Sequence, residues 1–142
     1  MRMNLGKRQG SLWEPIKSDR KQVERSLKLA HRDLKSADRL LDEEDYDWAF
    51  AIAYNAMLQA GRALMFSEGF RPKGEFKHVA VVEFARQISP SFAQRLLDSF
   101  DRSRKRRHRV VYDDIDTVSE EEAKRAFTLA VEFLEEVEAR LK

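Results

Sequence analysis

The chain has 142 residues, no cysteine and a formal net charge of +2, and 37% of its residues are charged. The absence of cysteine excludes disulfides, thiolate-bound zinc and thiol catalysis. No apolar run approaches the roughly 18 residues that a membrane span needs, and the polar, basic residues 1–10 do not predict a signal peptide. These features predict a soluble, cytoplasmic protein of one domain.

Five glycines and three prolines, among abundant Ala, Leu, Glu, Lys and Arg, predict an all-α chain. We expect an up-and-down antiparallel helical bundle of about five helices, formed by residues 18–142. Residues 1–17 are predicted to be an N-terminal arm with Trp13 as its large aromatic residue. Trp13 could dock on the bundle, but a partly ordered tail is the preferred interpretation.

Two long amphipathic patterns come first. The first helix is predicted from Ser18 or Asp19 to Asp42, with one apolar stripe at spacings of four and three: Val23, Leu27, Ala30, Leu34, Ala37 and Leu41. The second, Tyr46–Glu68, is the least polar and should be the central helix. We expect Asp45 to cap it, Gly69 to end it, Gly61 to allow a close helix approach, and Tyr54 to be a core residue with a satisfied hydroxyl.

The second half of the chain predicts a loop over residues 70–75 and a short third helix, Phe76–Ile88, with His78 near its first turn. Pro90 suits the entry to a fourth helix, which leads into a basic run. Residues 110–118 are predicted to be a loop, and Ser119 with Glu122 forms a capping box that opens the fifth helix.

The basic run is the feature that carries a functional prediction. Six of the eight residues from Arg102 to Arg109 are Arg or Lys, and His108 is a seventh cationic candidate. Charge this dense needs water or an anion beside it, so the run is either a solvated helix end or a phosphate-binding surface. On the second interpretation the phosphate- or RNA-binding candidates are Arg104, Lys105, Arg106, Arg107, Arg109 and Tyr112.

If the fourth helix continues through the run, Leu97, Phe100, Arg104 and His108 share one face, and Arg102, Arg106 and Arg109 share another. An inward-facing arginine beside a histidine would suit a phosphate. Alternatively, Arg104 and His108 pair with an aspartate across the following turn, at Asp113, Asp114 or Asp116. These aspartates could hold a hard cation, but helix-approach charges are the preferred interpretation. No metal or cofactor motif is recognised.

Several of these segments together resemble the HEPN (higher eukaryote and prokaryote nucleotide-binding) family, and within it the small prokaryotic single-domain proteins. The resemblance covers about Ser26 to Leu141. It rests on these segments: residues 46–49 (Tyr-Asp-Trp-Ala), residues 54–64, Gly69 followed by His78, residues 102–113, and Ser119 at the start of an alanine-rich helix.

The resemblance implies a bundle that forms a homodimer, with the signature Arg-x(4–6)-His in a cleft between two protomers. Active members are metal-independent ribonucleases, often toxins paired with a minimal nucleotidyltransferase antitoxin. Arg102 and His108 match the signature with five intervening residues and become the catalytic candidates. Ser103 stands where many active members have another polar residue, often Asn. The nearest tyrosine after His108 is Tyr112, whereas many members have it two residues after the histidine.

Three functions from different classes therefore follow from the sequence. The chain could be an RNA-binding protein or metal-independent ribonuclease. It could also be a non-catalytic nucleotide-binding or protein-interaction subunit, or a structural bundle whose basic run maintains solubility. Arg104 competes with Arg102 for the role of signature arginine, because helical geometry places Arg104 beside His108.

Overall fold

A computed structural model describes residues 12–17, 19–88, 94–113 and 115–142. Within them the chain forms five helices and a small antiparallel sheet, which confirms the predicted all-α bundle. Among the described residues, none of the helices combines the length and the apolar composition that a membrane span requires. The elements, in chain order, are β1 (Trp13–Pro15), α1 (Arg20–Asp42), α2 (Tyr46–Ser67), β2 (Phe70–Pro72), α3 (Lys77–Ile88), α4 (Gln94–Tyr112) and α5 (Glu120–Leu141).

Helix α2 is the central element, as its composition predicts. It packs against the four other helices and against β2. Apolar residues cover most of its circumference, so burial is not confined to one stripe. The largest side chains that it buries to less than 2% exposure are Tyr54, Met57, Leu64 and Met65.

Gly61 sets how closely α3 approaches α2. A Cβ atom at this position would overlap the Cγ1 atom of Val81 on α3 and would lie 3.6 Å from the ring of Phe100 on α4. The predicted role of Gly61 in close helix packing is thereby confirmed. The absence of a side chain at Gly61 allows Val81 of α3 and Phe100 of α4 to pack close to the middle of α2.

The helix ends follow the predicted capping pattern with one exception. Asp19 accepts a hydrogen bond from the backbone N–H of Lys21 (2.9 Å), and Ser119 accepts one from Glu122 (3.1 Å). Asp45 occupies the N-cap position of α2, but its side chain makes no capping hydrogen bond, so that prediction was wrong. The neighbouring Asp47 carboxylate instead points to the segment before α5 and accepts from the backbone N–H groups of Asp116 (2.5 Å) and Val118 (3.1 Å).

The segment around Trp13 is docked, so a partly ordered tail is the wrong interpretation for residues 12–17. Strand β1 pairs with β2, Trp13 lying opposite Pro72 and Glu14 opposite Arg71. The Trp13 side chain is 1% exposed and meets the ring of Phe84 edge to face at 5.2 Å. No strand pattern is visible in these segments, because each strand is three residues long and ends in proline. A boundary between arm and bundle at residue 18 stays a prediction.

Helix α4 runs through the whole basic run and ends at Tyr112. The loop that was predicted over residues 110–118 therefore begins too early, since its first three residues are helical. Ser18, Pro90 and Asp114, to which the sequence assigned a helix start, a helix entry and a possible ion pair, lie outside the described residues.

Candidate nucleic-acid interface

Asp101 neutralises part of the basic run from one turn earlier on α4. One oxygen of its carboxylate accepts from Nε and Nη2 of Arg104 at 3.1 and 3.0 Å, and the other lies 3.5 Å from Nζ of Lys105. Burial alone would raise the pKa of Asp101, but the hydrogen bond and charge of Arg104, together with Lys105, hold it below its usual value. One carboxylate thus serves two cations, which helps the helix to continue through the run.

Arg106 joins α4 to the start of α5. Its guanidinium donates to both carboxylate oxygens of Glu122, at 2.8 and 3.1 Å, and to the carbonyl oxygen of Thr117 at 3.1 Å. The Arg106 side chain is 18% exposed and that of Glu122 29%, so this bidentate pair is partly shielded from water. Arg106, predicted to bind phosphate, is therefore already engaged with a carboxylate.

A cleft of about 710 Å³ lies between α4 and α5, and several cationic residues of the basic run line it. Five cationic residues line it and Glu122 is its single acidic lining residue. Arg102 is exposed and donates to the hydroxyl of Ser99 at 3.2 Å, a contact that an incoming phosphate can replace. The cationic lining residues are Arg102, Lys105, Arg106, Arg109 and Arg125. We call this space the α4–α5 cleft.

His108 lies outside that cleft. It is exposed, and its ring is 5.0 Å from the ring of Tyr112, one turn further along α4. Arg102 and His108 are six residues apart, which corresponds to about 9 Å along the helix and about 120° around it. The two signature candidates therefore face different sides of α4 within one chain.

The prediction that Arg104 and His108 lie on the inward face of α4 is wrong. Arg104 is half-buried but bound to Asp101, and His108 faces solvent. The buried face of α4 instead passes through Leu96, Phe100 and Val110, with Ser103 and Arg107 half-buried between them. The partner found for Arg104 among the described residues is Asp101, which precedes it on α4, whereas the sequence predicted an aspartate across the following turn.

Arg107 belongs to a second cluster, which the sequence analysis did not assemble. Its Nε is buried without a hydrogen-bond partner among the described residues. Nearby, the Tyr54 hydroxyl and Nδ1 of His78 are hydrogen bonded at 3.1 Å, which confirms that the hydroxyl of this core tyrosine is satisfied. Arg62 and Arg104 lie close enough to act electrostatically on both rings.

The surroundings of His78 favour its neutral form. Burial lowers the pKa of the imidazole, and the positive charges of Arg107, Arg62 and Arg104 lower it further. Burial likewise raises the pKa of Tyr54, so its hydroxyl stays protonated. A neutral imidazole, a buried phenol and several guanidiniums thus meet where α2, α3 and α4 pack together. No local pattern pointed to this cluster, because 24 residues separate Tyr54 from His78.

The remaining candidates are at the end of α4. Tyr112 is 64% exposed, and Arg109 is exposed and lines the α4–α5 cleft. Asp113 continues the helical hydrogen bonding by donating its backbone N–H to the carbonyl oxygen of Arg109 at 2.7 Å. In the part of the chain that is described, no three His, Asp or Glu side chains converge to hold a metal ion.

Comparison with known proteins agrees with this arrangement of helices. The crystal structure of an archaeal HEPN homologue superimposes with a TM-score of 0.66, covering 84% of this chain and 98% of that one. At 20% identity this likeness concerns the fold alone. No curated protein matches the chain. The HEPN domain family model matches residues 23–140, which include all of α2 to α4 and almost all of α1 and α5. The chain therefore belongs to the HEPN domain family.

Proposed function

We propose that the protein is a HEPN-type RNA-binding protein that cleaves RNA without a metal ion. The observation that carries the proposal is the α4–α5 cleft, where five cationic residues face one carboxylate. A groove with such an excess of positive charge attracts a polyanion and follows its backbone. Arg102, Lys105 and Arg109 are the exposed lining residues on α4 and are proposed to bind phosphates first.

The chemistry requires an acid–base group and a cationic clamp on the reacting phosphate. A base takes the proton of the ribose 2′-OH, whose oxygen attacks the adjacent phosphorus. An acid then protonates the departing 5′-oxygen. We assign the proton transfers to His108 and the stabilisation of the phosphorane oxygens to Arg102, whose guanidinium can donate two hydrogen bonds.

A homodimer would supply the complete set of groups. Arg102 and His108 of one chain face different sides of α4, so a second protomer could bring its own histidine to the first arginine. An exposed apolar patch lies beside His108 and could form part of the contact. Trp48, half-buried Val111 and Ile115 line one pocket, and Tyr112 follows Val111 in sequence and packs on the His108 ring; Trp48, Tyr112 and Ile115 are 54%, 64% and 72% exposed. Large exposed apolar side chains that cluster in this way are typical of interaction surfaces.

The toxin role and its partner are proposed on the family resemblance. In that arrangement a minimal nucleotidyltransferase would act as the antitoxin and silence the ribonuclease. A specific observation favours a second candidate, a non-catalytic RNA- or nucleotide-binding subunit. His108 lies outside the α4–α5 cleft, and Arg106 there is held by Glu122.

Incubation of the full chain with a structured RNA in excess EDTA tests the proposal. We expect cleavage by the wild-type protein, none by His108→Ala, and products that end in a 2′,3′-cyclic phosphate. Light scattering at tens of micromolar should give the mass of a dimer. RNA binding without cleavage would support the non-catalytic subunit. A monomer that still cleaves would remove the two-protomer site.

A further inference from the structure

A second basic cleft lies between α1, α2, β2 and the start of α3. Its volume is about 410 Å³, and it shares no lining residue with the α4–α5 cleft. Ten residues line it; four are cationic and the other six are uncharged. The cationic four are Arg25, Arg62, Arg71 and Lys77. A cleft with four cations and no carboxylate in its lining lacks the counter-charge that the α4–α5 cleft has in Glu122.

Arg62 is the cation in this cleft whose charge is partly buried without a counter-ion among the described residues. It lies half-buried in the middle of α2, and burial lowers the pKa of its guanidinium. No ion pair or hydrogen bond of its guanidinium is found among the described residues. An arginine keeps its charge even so, because its pKa lies far above neutral pH. A partly desolvated cation without a partner is costly, and an anion would offset that cost.

The neighbouring charges do not satisfy Arg62. Of the other three cations, Arg71 is paired with Glu14 at 2.8 Å, and Glu14 is not part of the cleft lining. Arg25 and Lys77 are exposed, and no ion pair of either occurs in the described part of the chain. Asp101, which lies near Tyr54, is already bound to Arg104 and Lys105.

The shape and lining indicate what kind of anion would fit. A volume of about 410 Å³ falls in the range of small-molecule sites, roughly 300–1,000 Å³. Gln22 and Gln59 add amide donors, while Leu29, Phe66 and Pro72 provide an apolar wall. Guanidinium groups bind the oxygens of a phosphate through paired hydrogen bonds. We propose that this cleft binds the phosphate group of a small molecule, with Arg62 as the central ligand and Arg25 and Lys77 at the rim.

Calorimetric titration of the full chain with inorganic phosphate and pyrophosphate, in a low-salt chloride buffer, tests the site. We expect Arg62→Gln to weaken pyrophosphate binding roughly 10- to 150-fold, as for the loss of a charged hydrogen bond of 1.5–3 kcal/mol. The matched control is Arg20→Gln, an exposed arginine on α1 that pairs with Glu24, which should leave the affinity unchanged. The variant Arg25→Gln/Lys77→Gln alters exposed residues alone and should also weaken binding, so the test does not depend on the folding of the Arg62 variant.

Further titrations identify the source of the phosphate. Tighter binding of adenosine monophosphate than of inorganic phosphate, with no binding of adenosine, would indicate a phosphorylated nucleoside. Equal affinities would indicate a free phosphate or pyrophosphate ion. The proposal is overturned if the wild-type protein binds neither anion at millimolar concentration. It is also overturned if Arg102→Gln abolishes pyrophosphate binding while Arg62→Gln does not, because the anion would then occupy the α4–α5 cleft. RNA cleavage by the wild type is measured separately, so the two proposals can fail independently.

Discussion

The hydroxyl of Tyr54 and Nδ1 of His78 lie 3.1 Å apart, and their rings pack with centroids 5.6 Å apart at an angle of 33°. This hydrogen bond ties the middle of α2 to the first turn of α3. Three guanidiniums act on the pair from α2 and α4. A protonated His78 would add a further positive charge to this group, so the folded protein holds the imidazole neutral.

The first prediction is that acidification destabilises the fold through His78. The pKa of His78 is lowered from 6.5 in the folded state by burial and by Arg107, Arg62 and Arg104. Below about pH 6.5 the unfolded chain therefore binds a proton that the folded chain does not. The free energy of unfolding consequently decreases as the pH is lowered. The contribution of the neutral imidazole is fully present above that pH. Urea unfolding at a series of pH values from 7.5 to 5.5 measures the decline.

The control for this prediction is His78→Asn, whose amide can still hydrogen bond near the Tyr54 hydroxyl but does not titrate. Carboxylates, His31 and His108 are common to both proteins, so their effects cancel in the difference. We expect the wild type to lose more stability than the variant between pH 7 and pH 5.5. Parallel pH profiles would contradict the assignment to His78.

The second prediction distinguishes Arg102 from Arg104 as the catalytic arginine. His108→Ala should reduce RNA cleavage by about 10²- to 10⁴-fold, the usual effect of losing an acid–base group. Arg102→Ala should cost a similar factor, and Arg102→Lys should recover little, because an ammonium cannot donate a bidentate pair to phosphate. Single-turnover cleavage rates in EDTA provide the measurement.

Arg104→Ala is the comparison for that series. Since Arg104 is bound to Asp101, its loss should change the rate less than the loss of Arg102. A rate that depends on Arg104 and not on Arg102 would reassign the signature arginine.

The third prediction concerns the salt dependence of RNA binding. Arg102 and Arg109 are exposed in the α4–α5 cleft, so Arg102→Gln/Arg109→Gln should remove two phosphate contacts. Each contact with a single strand contributes about 0.7 to the slope of log affinity against log salt, so the slope should fall by about 1.4. Fluorescence anisotropy at salt concentrations from about 50 to about 200 mM measures the slope.

A matched variant removes the same charge elsewhere. Arg20→Gln/Lys28→Gln alters two exposed residues of α1 and should leave the slope unchanged. Equal slopes for all three proteins would mean that the cleft does not contact the RNA. Substitution of Arg106 and Arg107 would test the RNA contacts less well, although both belong to the basic run. Arg106 is bound to Glu122, and Arg107 is half-buried.

The fourth prediction is that Gly61→Ala destabilises the protein. The new methyl group would overlap Cγ1 of Val81, a fully buried β-branched side chain with little rotameric freedom. Overpacking of this kind costs about 1–3 kcal/mol, while alanine regains up to about 1 kcal/mol of helix propensity. We expect a net loss on the order of 1–2 kcal/mol in the free energy of unfolding, measured by urea titration.

A double-mutant cycle with Val81→Ala tests the cause of that loss. The second change removes the atom that the methyl group would meet. The double variant should therefore be more stable than the sum of the two single losses implies. Strict additivity would mean that the close approach of α3 at Gly61 is not the origin of the effect.

The long apolar repeats made most of the fold predictable. On α1 and α5 the buried residues recur mainly at spacings of three and four, α2 is buried around most of its circumference as its apolar composition predicts, and Gly69, with a φ of 83°, ends α2 as expected. The short sheet was not predictable, because its pairing depends on residues that are 57 positions apart. Such contacts leave no local pattern.

The face of α4 could have been predicted with one further residue. From Arg102 to Arg109 the charges give no apolar signal, so the stripe was extended from Leu97 and Phe100 to Arg104 and His108. Val110 is buried, and counting back from it in steps of three and four gives Arg107, Ser103, Phe100 and Leu96. The predicted loop over residues 110–118 leaves Val110 out of the helix, and without it no apolar residue beyond the basic run indicates that Arg107 faces inward.

The docking of Trp13 has a consequence for the order in which the chain folds. Strand β1 pairs with β2, and Trp13 packs on Phe84, which lies more than 70 residues later in the chain. Contacts of such long sequence separation form after local helical contacts, because the closure of the connecting chain costs entropy first. During synthesis β1 emerges early but acquires its partner only after α1 and α2 have been made. Strand β1 is thus among the last of the described elements to reach its native place, and a change in the environment of Trp13 should accompany a late step of folding.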